Sequence, residues 1–476
     1  LVVNSEESLK MTSEGYREQS LAKAKAIAEQ EGEAKPKPDI EMSFIKLADG
    51  TLAEEIRNPL TGKVAFAVYR NGVITYEDSL TVEGKTYKPV DNDIVKQGGV
   101  LLSSEAVNYG TLAELLEDIR LFIHKWVDVS PQFEKLACYY ALLTWVYDAF
   151  TVLPYLRFLS QWSTGKTRAK ITIGVLCYKP LSTSGASTNS PIFRMLELFA
   201  GTMLIDEADI TKSDESAEFI KILNTGYEKG SPLWRSERGK GDKFEVRAYP
   251  TYCPKILASR KKFQDAALES RFLTEEMNRS FDKARIPLNL LPEFWDEALA
   301  IRNKCLFFRL TKLLGIKPVA AYAQDGIEPR VSQMLSSLLQ VMESDEDKAE
   351  LIERARAYTQ IIQEDRGGSQ LGELVAVLFD FIDEHKELTI KAICQEVNDR
   401  AGGGKGEEWS PRRTAALAKT LGLKVKRMGK GSIIDIKASE RAMELLRRQY
   451  KIDKTIEDEV KPVGKVKEHL KRLGSA

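Results

Sequence analysis

The stretch YLRFLSQWSTGKTRAK, residues 155 to 170, constrains this chain more than any other. Five residues suited to a buried strand run into a short turn, a glycine and then a helix-forming segment. Such a strand–turn–helix unit aims several backbone N–H groups at one point, and the helix dipole favours an anion there. Gly165, Lys166 and Thr167 close the turn as a phosphate cradle does, with a lysine for the β- and γ-phosphates and a hydroxyl for Mg²⁺. The first glycine of the usual pattern GxxxxGK[ST] is replaced by Ser160. That glycine serves backbone geometry and supplies no group to the nucleotide, so the substitution removes no chemistry. Ser160, Gly165, Lys166 and Thr167 are therefore candidate nucleotide residues, with ATP and Mg²⁺ as the expected cofactors.

A second apolar run, MLIDEAD (203 to 209), ends in Asp206 and Glu207. An aspartate at a strand end can help Thr167 hold Mg²⁺, and the glutamate beside it can orient an attacking water. A third run, PKILASRKKF (254 to 263), ends in the polar Ser259. A core strand between the first two would bring this hydroxyl near the γ-phosphate. DAALESRFL (265 to 273) then carries Ser270, Arg271 and Phe272.

The order Lys166-Thr167, Asp206-Glu207, Ser259, Arg271 resembles that of AAA+ ATPases. Ser270-Arg271-Phe272 is similar to the Ser-Arg-Cys motif by which clamp-loader subunits offer an arginine to a neighbour. The resemblance implies that Arg271 acts on an adjacent subunit's γ-phosphate, and hence a homo-oligomer, expected to be a hexamer. It also implies a second arginine on a lid helix. Arg330, in the first turn of a helix opened by Pro329, is the candidate. The letters DEAD also evoke RNA helicases, but no second βαβ series follows Arg271. The short interval between motifs instead resembles superfamily-three and related replicative helicases of phages, plasmids and mobile elements.

Net charge is zero, so any nucleic-acid footprint must be local. Residues 401 to 476 hold 19 Lys/Arg against 10 Asp/Glu, which leaves the remainder acidic. Within the core, SPLWRSERGKGDKFEVRAY (231 to 249) alternates apolar and polar residues about Gly239-Lys240-Gly241 and predicts a hairpin whose tip carries Arg235, Arg238, Lys240 and Lys243. A hairpin at this position lines the pore in the resembled helicases; a solvated basic turn is the plainer reading. Near the end, three helical segments precede a turn at Gly429-Lys430-Gly431, an order that resembles a winged helix. Ser410 caps its third helix with Pro411 at the first position, so Arg412 and Arg413 fall in the first turn. Lys424, Lys426, Arg427 and Lys430 populate the wing. These residues suit phosphate contacts to DNA, although winged helices also bind proteins.

The expected fold class is α/β: an AAA+ phosphate-loop core with a helical N-terminal region, a small β-rich domain and a C-terminal winged helix. Residues 1–39 read as a helical tether, and 40–105 as the β-rich domain, where Asn71-Gly72 between VAFAVYR and VITYEDSLTV signals a hairpin. Residues 106–154 read as a helical collar opened by a Thr111/Glu114 capping box. The ATPase core is expected over 155–281, a helical lid over 282–365, EDRGGSQ (364 to 370) as a linker, the winged helix over 366–445 and a basic tail over 446–476. AGGGKG (401 to 406) is read as a flexible insert rather than a second phosphate loop.

Five dispersed cysteines without a CxxC pair, and only three histidines, predict packed reduced thiols and no zinc site. No apolar run reaches the ~18 residues of a membrane span, and the N-terminus lacks a signal-peptide layout, so a cytoplasmic protein is expected. The chain opens on Leu1, which leaves room for upstream sequence, including a fused primase. The resemblance implies a helicase acting on single-stranded or forked DNA, with a primase or primase-polymerase as a possible partner. A DNA-binding initiator, loader or transposition regulator, which uses ATP to assemble without unwinding, shares every ATPase motif.

Overall fold

The computed structural model describes residues 39–160, 164–183, 189–206, 214–238, 244–263, 265–277, 285–320, 325–367, 370–400, 409–429 and 431–450. The chain divides into two compact units, residues 1–323 with 329–351, and 324–328 with 352–476. The N-terminal tether, Trp162 and its two neighbours, the AGGGKG insert and residues 451–476 lie outside the described residues.

The first unit begins with seven strands: β1 (Ile40–Glu41), β2 (Phe44–Lys46), β3 (Leu52–Arg57), β4 (Val64–Arg70), β5 (Val73–Glu77), β6 (Leu80–Val82) and β7 (Lys85–Lys88). They form a sheet of order β2-β3-β4-β5 and a smaller one of order β1-β7-β6. Asn71 and Gly72 turn between β4 and β5 with φ of 52° and 84°, as their sequence demands. VITYEDSLTV does not continue as one strand, because it breaks after Glu77 and its second half joins the other sheet.

The helix Leu112–Trp126 opens with the Thr111/Glu114 capping box, and Pro131–Trp145 opens on Ser130. The second of these helices is buried nearly all round, so it packs as a central core element. His124 Nδ1 lies 3.0 Å from Glu134 Oε2, a link between these two helices.

Beneath them lies a five-stranded sheet of β8 (Tyr155–Leu159), β9 (Leu181–Thr183), β10 (Met203–Ile205), β13 (Lys255–Ser259) and β14 (Phe272–Glu276), in the order β14-β8-β13-β10-β9. Every pairing is parallel, and the apolar runs reflect burial on both faces. The strand of Ser259 does lie between that of the phosphate-cradle motif and that of Asp206. The edge strands β9 and β14 were not foreseen, since neither forms a long apolar run. Between β10 and β13, the antiparallel strands β11 (Leu233–Arg238) and β12 (Phe244–Tyr249) form a separate hairpin.

The N-terminal sheet is joined to this core by buried charge. Glu54 on β3 accepts from Arg309 Nε, from Tyr178 Oη at 3.0 Å and from Lys179 Nζ at 2.8 Å, while Arg309 also grips Asp148 at 2.8 and 2.9 Å. Removing any one partner would leave its counterpart charged in a dry site.

The second unit holds the helices Gln370–Asp383, Ile390–Arg400 and Pro411–Thr420, then β15 (Val425–Met428) and β16 (Gly431–Ile434). An isolated bridge from Thr389 to Ile433 adds a third extended segment to that hairpin. The helix Ile436–Tyr450 follows and packs Met443 and Leu446 into the unit's core. EDRGGSQ is not a linker throughout, because the helix Asp345–Gly367 runs through its first four residues and Gly367 stands at the helix end. All five cysteines are buried and unpaired, and burial pushes the Cys177 thiol up to about 12. Among the described residues no helix is long and apolar enough to cross a membrane.

Candidate functional site

Because β8, β10 and β13 are adjacent and parallel, their C-terminal ends open on one edge of the sheet, the place where open α/β sheets bind ligands. Ser160 leaves β8 there, and its N–H donates to Ser259 O at 3.2 Å. Gly165 has φ of 91°, a left-handed conformation that favours glycine, and it caps the helix Lys166–Gly174. Lys166 and Thr167 thus occupy the first turn of that helix, where its free N–H groups point.

Thr167 Oγ1 donates to Asp206 Oδ1 at 3.3 Å, although 39 positions separate the two residues. Asp206 Oδ2 is also paired with Lys170 Nζ at 3.1 Å. Lys170 is buried and lies one helical turn beyond Lys166, so both lysines share a helix face. That spacing was visible in TGKTRAK, but nothing in the sequence indicated which carboxylate the second lysine would meet. Glu207 lies outside the described residues.

Ser259 is fully buried, and its hydroxyl has no hydrogen-bond partner among the described residues. The Thr164 hydroxyl is orphaned in the same way. Unsatisfied buried donors beside a helix N-terminus fit a phosphate, and the Thr167 hydroxyl with the Asp206 carboxylate fits a hard cation. Among the described residues no three acidic, histidine or cysteine side chains converge as a metal cage. A Mg²⁺ ion held by Thr167 and Asp206 would complete its shell from phosphate oxygens and water.

Arg271 stands at the opposite end of the sheet. Its carbonyl accepts from the N–H of Tyr155, the first residue of β8, about 13 Å from the cradle at four residues of strand rise. Its guanidinium folds back against the same chain, donating to Asn224 O at 3.0 Å and Asn224 Oδ1 at 2.6 Å and lying 5.0 Å from the Tyr227 ring. Burial lowers its pKa, and nearby Arg330 lowers it further. Arg330 donates to Ala267 O at 3.4 Å. Arg330 thus lies beside Arg271, at the other end of the sheet from Thr167 and Asp206.

A further residue went unread in YLRFL. Arg157, fully buried in the interior strand β8, makes a bidentate contact with Glu269, donates to Thr274 Oγ1 at 3.1 Å and stacks 4.8 Å from the Phe272 ring. The Phe263 N–H donates to Glu269 at 3.0 Å, so one carboxylate links Phe263 to Arg157.

No protein-family model matches the chain, and no curated protein matches it. Solved structures similar to it include the apo NrS-1 C-terminal region, 14% identical, covering 80% of this chain and 95% of that one with a TM-score of 0.36. Another is SCCmec type IV Cch, described as an active helicase, 10% identical over 90% of this chain and 85% of that one, also with a TM-score of 0.36. Likeness at this level carries no argument about what this chain does.

Of the residues suggested for nucleic acid, Lys240, Lys243 and Lys430 lie outside the described residues, as does the side chain of Arg238. Arg235 is not at the hairpin tip. It lies on the inward face, paired with Glu218 at 3.3 Å and stacked 4.9 Å from the Phe193 ring. In the second unit Ser410 accepts from the Arg413 N–H at 3.2 Å, which sets Arg412 and Arg413 in the first turn as expected. Arg412, Lys424, Lys426 and Arg427 are exposed, Lys426 pairs with Asp435 at 2.9 Å, and the Arg413 guanidinium lies 5.6 Å from the Trp409 ring.

Proposed function

We propose that this chain is an ATP-driven DNA helicase of AAA+ type that assembles as a ring, translocates on single-stranded DNA and opens duplex. The observation that carries this reading is the Thr167–Asp206 contact, in which two distant motifs meet at the C-terminal edge of adjacent parallel strands. Bound Mg²⁺ would neutralise charge on the β- and γ-phosphates. Lys166 would hold the same phosphates, and Thr167 and Asp206 would hold the metal. Glu207 would take a proton from a water whose oxygen attacks the γ-phosphorus as the bond to the bridging oxygen breaks, releasing ADP and phosphate. Ser259 would hydrogen-bond the γ-phosphate and report its loss.

Arg271 and Arg330 are too far along the sheet to serve the same cradle, so this reading gives both to the neighbouring subunit's phosphate. A ring of six, a C-terminal winged helix reading duplex backbone and an N-terminal contact with a primase complete the proposal.

The deciding experiment is unwinding of a forked DNA with ATP and Mg²⁺ by the wild type, Lys166→Ala, Asp206→Asn and the Lys240→Ala/Lys243→Ala double variant. Strand separation by the wild type alone is the expected result. DNA-stimulated hydrolysis by intact rings with no strand separation would leave the assembly-factor reading instead.

A further inference from the structure

β5 is the outer strand of the sheet β2-β3-β4-β5, and its sequence VITYE lacks the usual devices that blunt a sheet edge. It holds no proline, no lysine and no bulge, and its single charge, Glu77, stands at the end. At the opposite edge β2 is only three residues long and ends in Lys46. The two-residue turn Asn71-Gly72 makes Arg70 and Val73 a hydrogen-bonded pair, so by alternation Ile74 and Tyr76 turn their N–H and C=O groups away from β4. Among the described residues no group pairs with the backbone of either. Tyr76 is engaged through its hydroxyl, which accepts from the Ala106 N–H at 3.1 Å. Val73 is 60% and Tyr76 52% exposed, so the open edge is also apolar.

This strand is complementary to itself. Laid antiparallel on a second copy about a two-fold axis at Thr75, it sets Ile74 opposite Tyr76 of that copy and Tyr76 opposite its Ile74. Both pairs face outward, and each can exchange N–H···O=C bonds in both directions. A β-branched residue opposite an aromatic one is a favourable cross-strand pair, and so are two threonines, here Thr75 and its own counterpart on the axis. Val73 falls opposite Glu77, so no two like charges face each other. A slip of one residue would set outward-facing groups against inward-facing ones, which fixes the register.

We propose that β5 pairs with β5 of a second copy of this chain, extending the sheet across a two-fold axis at Thr75. Such a contact is isologous, whereas a ring closes through heterologous ones. The edge therefore joins two assemblies, or two single subunits, rather than neighbours within one ring. It goes beyond the ATPase reading and does not depend on it. A single five-residue edge is a small contact, and its strength grows where several subunits pair at once.

Position 75 meets itself across the axis, so its charge can be used to break and restore the contact. In light scattering of the full chain at matched concentration, the wild type is expected at twice the mass of Thr75→Arg and of Thr75→Glu, since either variant opposes like charges. Mixing the two variants sets arginine against glutamate and should restore the wild-type mass, which also shows that both variants fold. Thr75→Cys should form a disulfide-linked pair of chains under mild oxidation, because the Cα atoms of a non-hydrogen-bonded pair lie about 4.5 Å apart, within disulfide reach. Val73→Cys should not link, since position 73 faces 77 and lies about 13 Å along the strand from its own counterpart. The native cysteines are buried and do not compete. Unchanged mass in both charge variants, a mixture that does not regain it, or equal linking by the two cysteine variants would overturn the pairing and leave the edge to a different partner.

Discussion

Arg157 on β8 forms an ion pair with Glu269, the last residue of the short helix Ala266–Glu269 and two positions before Arg271. The arginine side chain is 1% exposed and the carboxylate 19%, so water screens the pair poorly. Glu269→Ala is expected to cost about 3–5 kcal/mol, because it strands a guanidinium in an apolar strand. The double change Arg157→Met with Glu269→Leu should recover most of that loss, as read by thermal unfolding. If the single and double variants melt together, the pair does not hold this segment.

Lys170 competes for Asp206, the carboxylate proposed to hold Mg²⁺. Removing a neighbouring positive charge strengthens a cation site, so Lys170→Met should lower the Mg²⁺ concentration for half-maximal ATP hydrolysis by roughly threefold to tenfold. A rise in that concentration would mean that Lys170 orients the carboxylate more than it opposes the metal.

Arg271 and Glu207 are proposed to complete one site from two subunits. Each of Arg271→Ala and Glu207→Gln should reduce hydrolysis at least about a hundredfold alone. Mixing the two inactive proteins should restore part of the activity, because some interfaces then carry one intact pair. Co-assembly confirmed by light scattering with no regained hydrolysis argues for a purely structural Arg271.

Glu55 on β3 is buried beside the Glu54 network, and burial raises its pKa from 4.5 to about 8, with Lys179 partly opposing the shift. Between those values the folded chain keeps a proton that the unfolded chain has released. Its contribution to stability is therefore full below about pH 4.5 and is lost as pH rises to about 8. In unfolding scans, Glu55→Gln should gain on the wild type steadily from pH 5 to 8 and hold a constant lead above that. A constant difference across the whole range would place the ionisation elsewhere.

Arg412 and Arg427 are exposed on the second unit and are proposed to meet phosphates. Each alanine variant should weaken duplex binding to a similar degree for unrelated sequences and reduce the salt slope by about one. Loss confined to one sequence would point to base readout instead.

What the sequence announced was mostly local. Asn71-Gly72, the Thr111/Glu114 box and the Ser410 cap each carry their structural instruction within four residues, and each stands where its chemistry put it. The Gly165-Lys166-Thr167 turn and the acidic end of β10 were legible because each joins an apolar run to distinctive polar residues within a few positions. Partner choice across long separations was not. Nothing local in YLRFL reveals that Arg157 awaits Glu269, and Arg330 could be assigned to a helix start but not to Arg271 as its neighbour. EDRGGSQ misled because its first four residues continue a helix that ends at Gly367.

The sheet order has a consequence for how the chain is made. β8 pairs only with β13 and β14, whose residues follow it by about 100 positions or more. A ribosome that has finished Leu159 thus holds a strand with both edges open until a long further stretch has emerged. Throughout that interval Arg157 has no Glu269 to meet, and its charge interrupts a five-residue segment otherwise apt to pair with other nascent chains. The arginine that the finished sheet must bury is, during synthesis, the gatekeeper of its own strand.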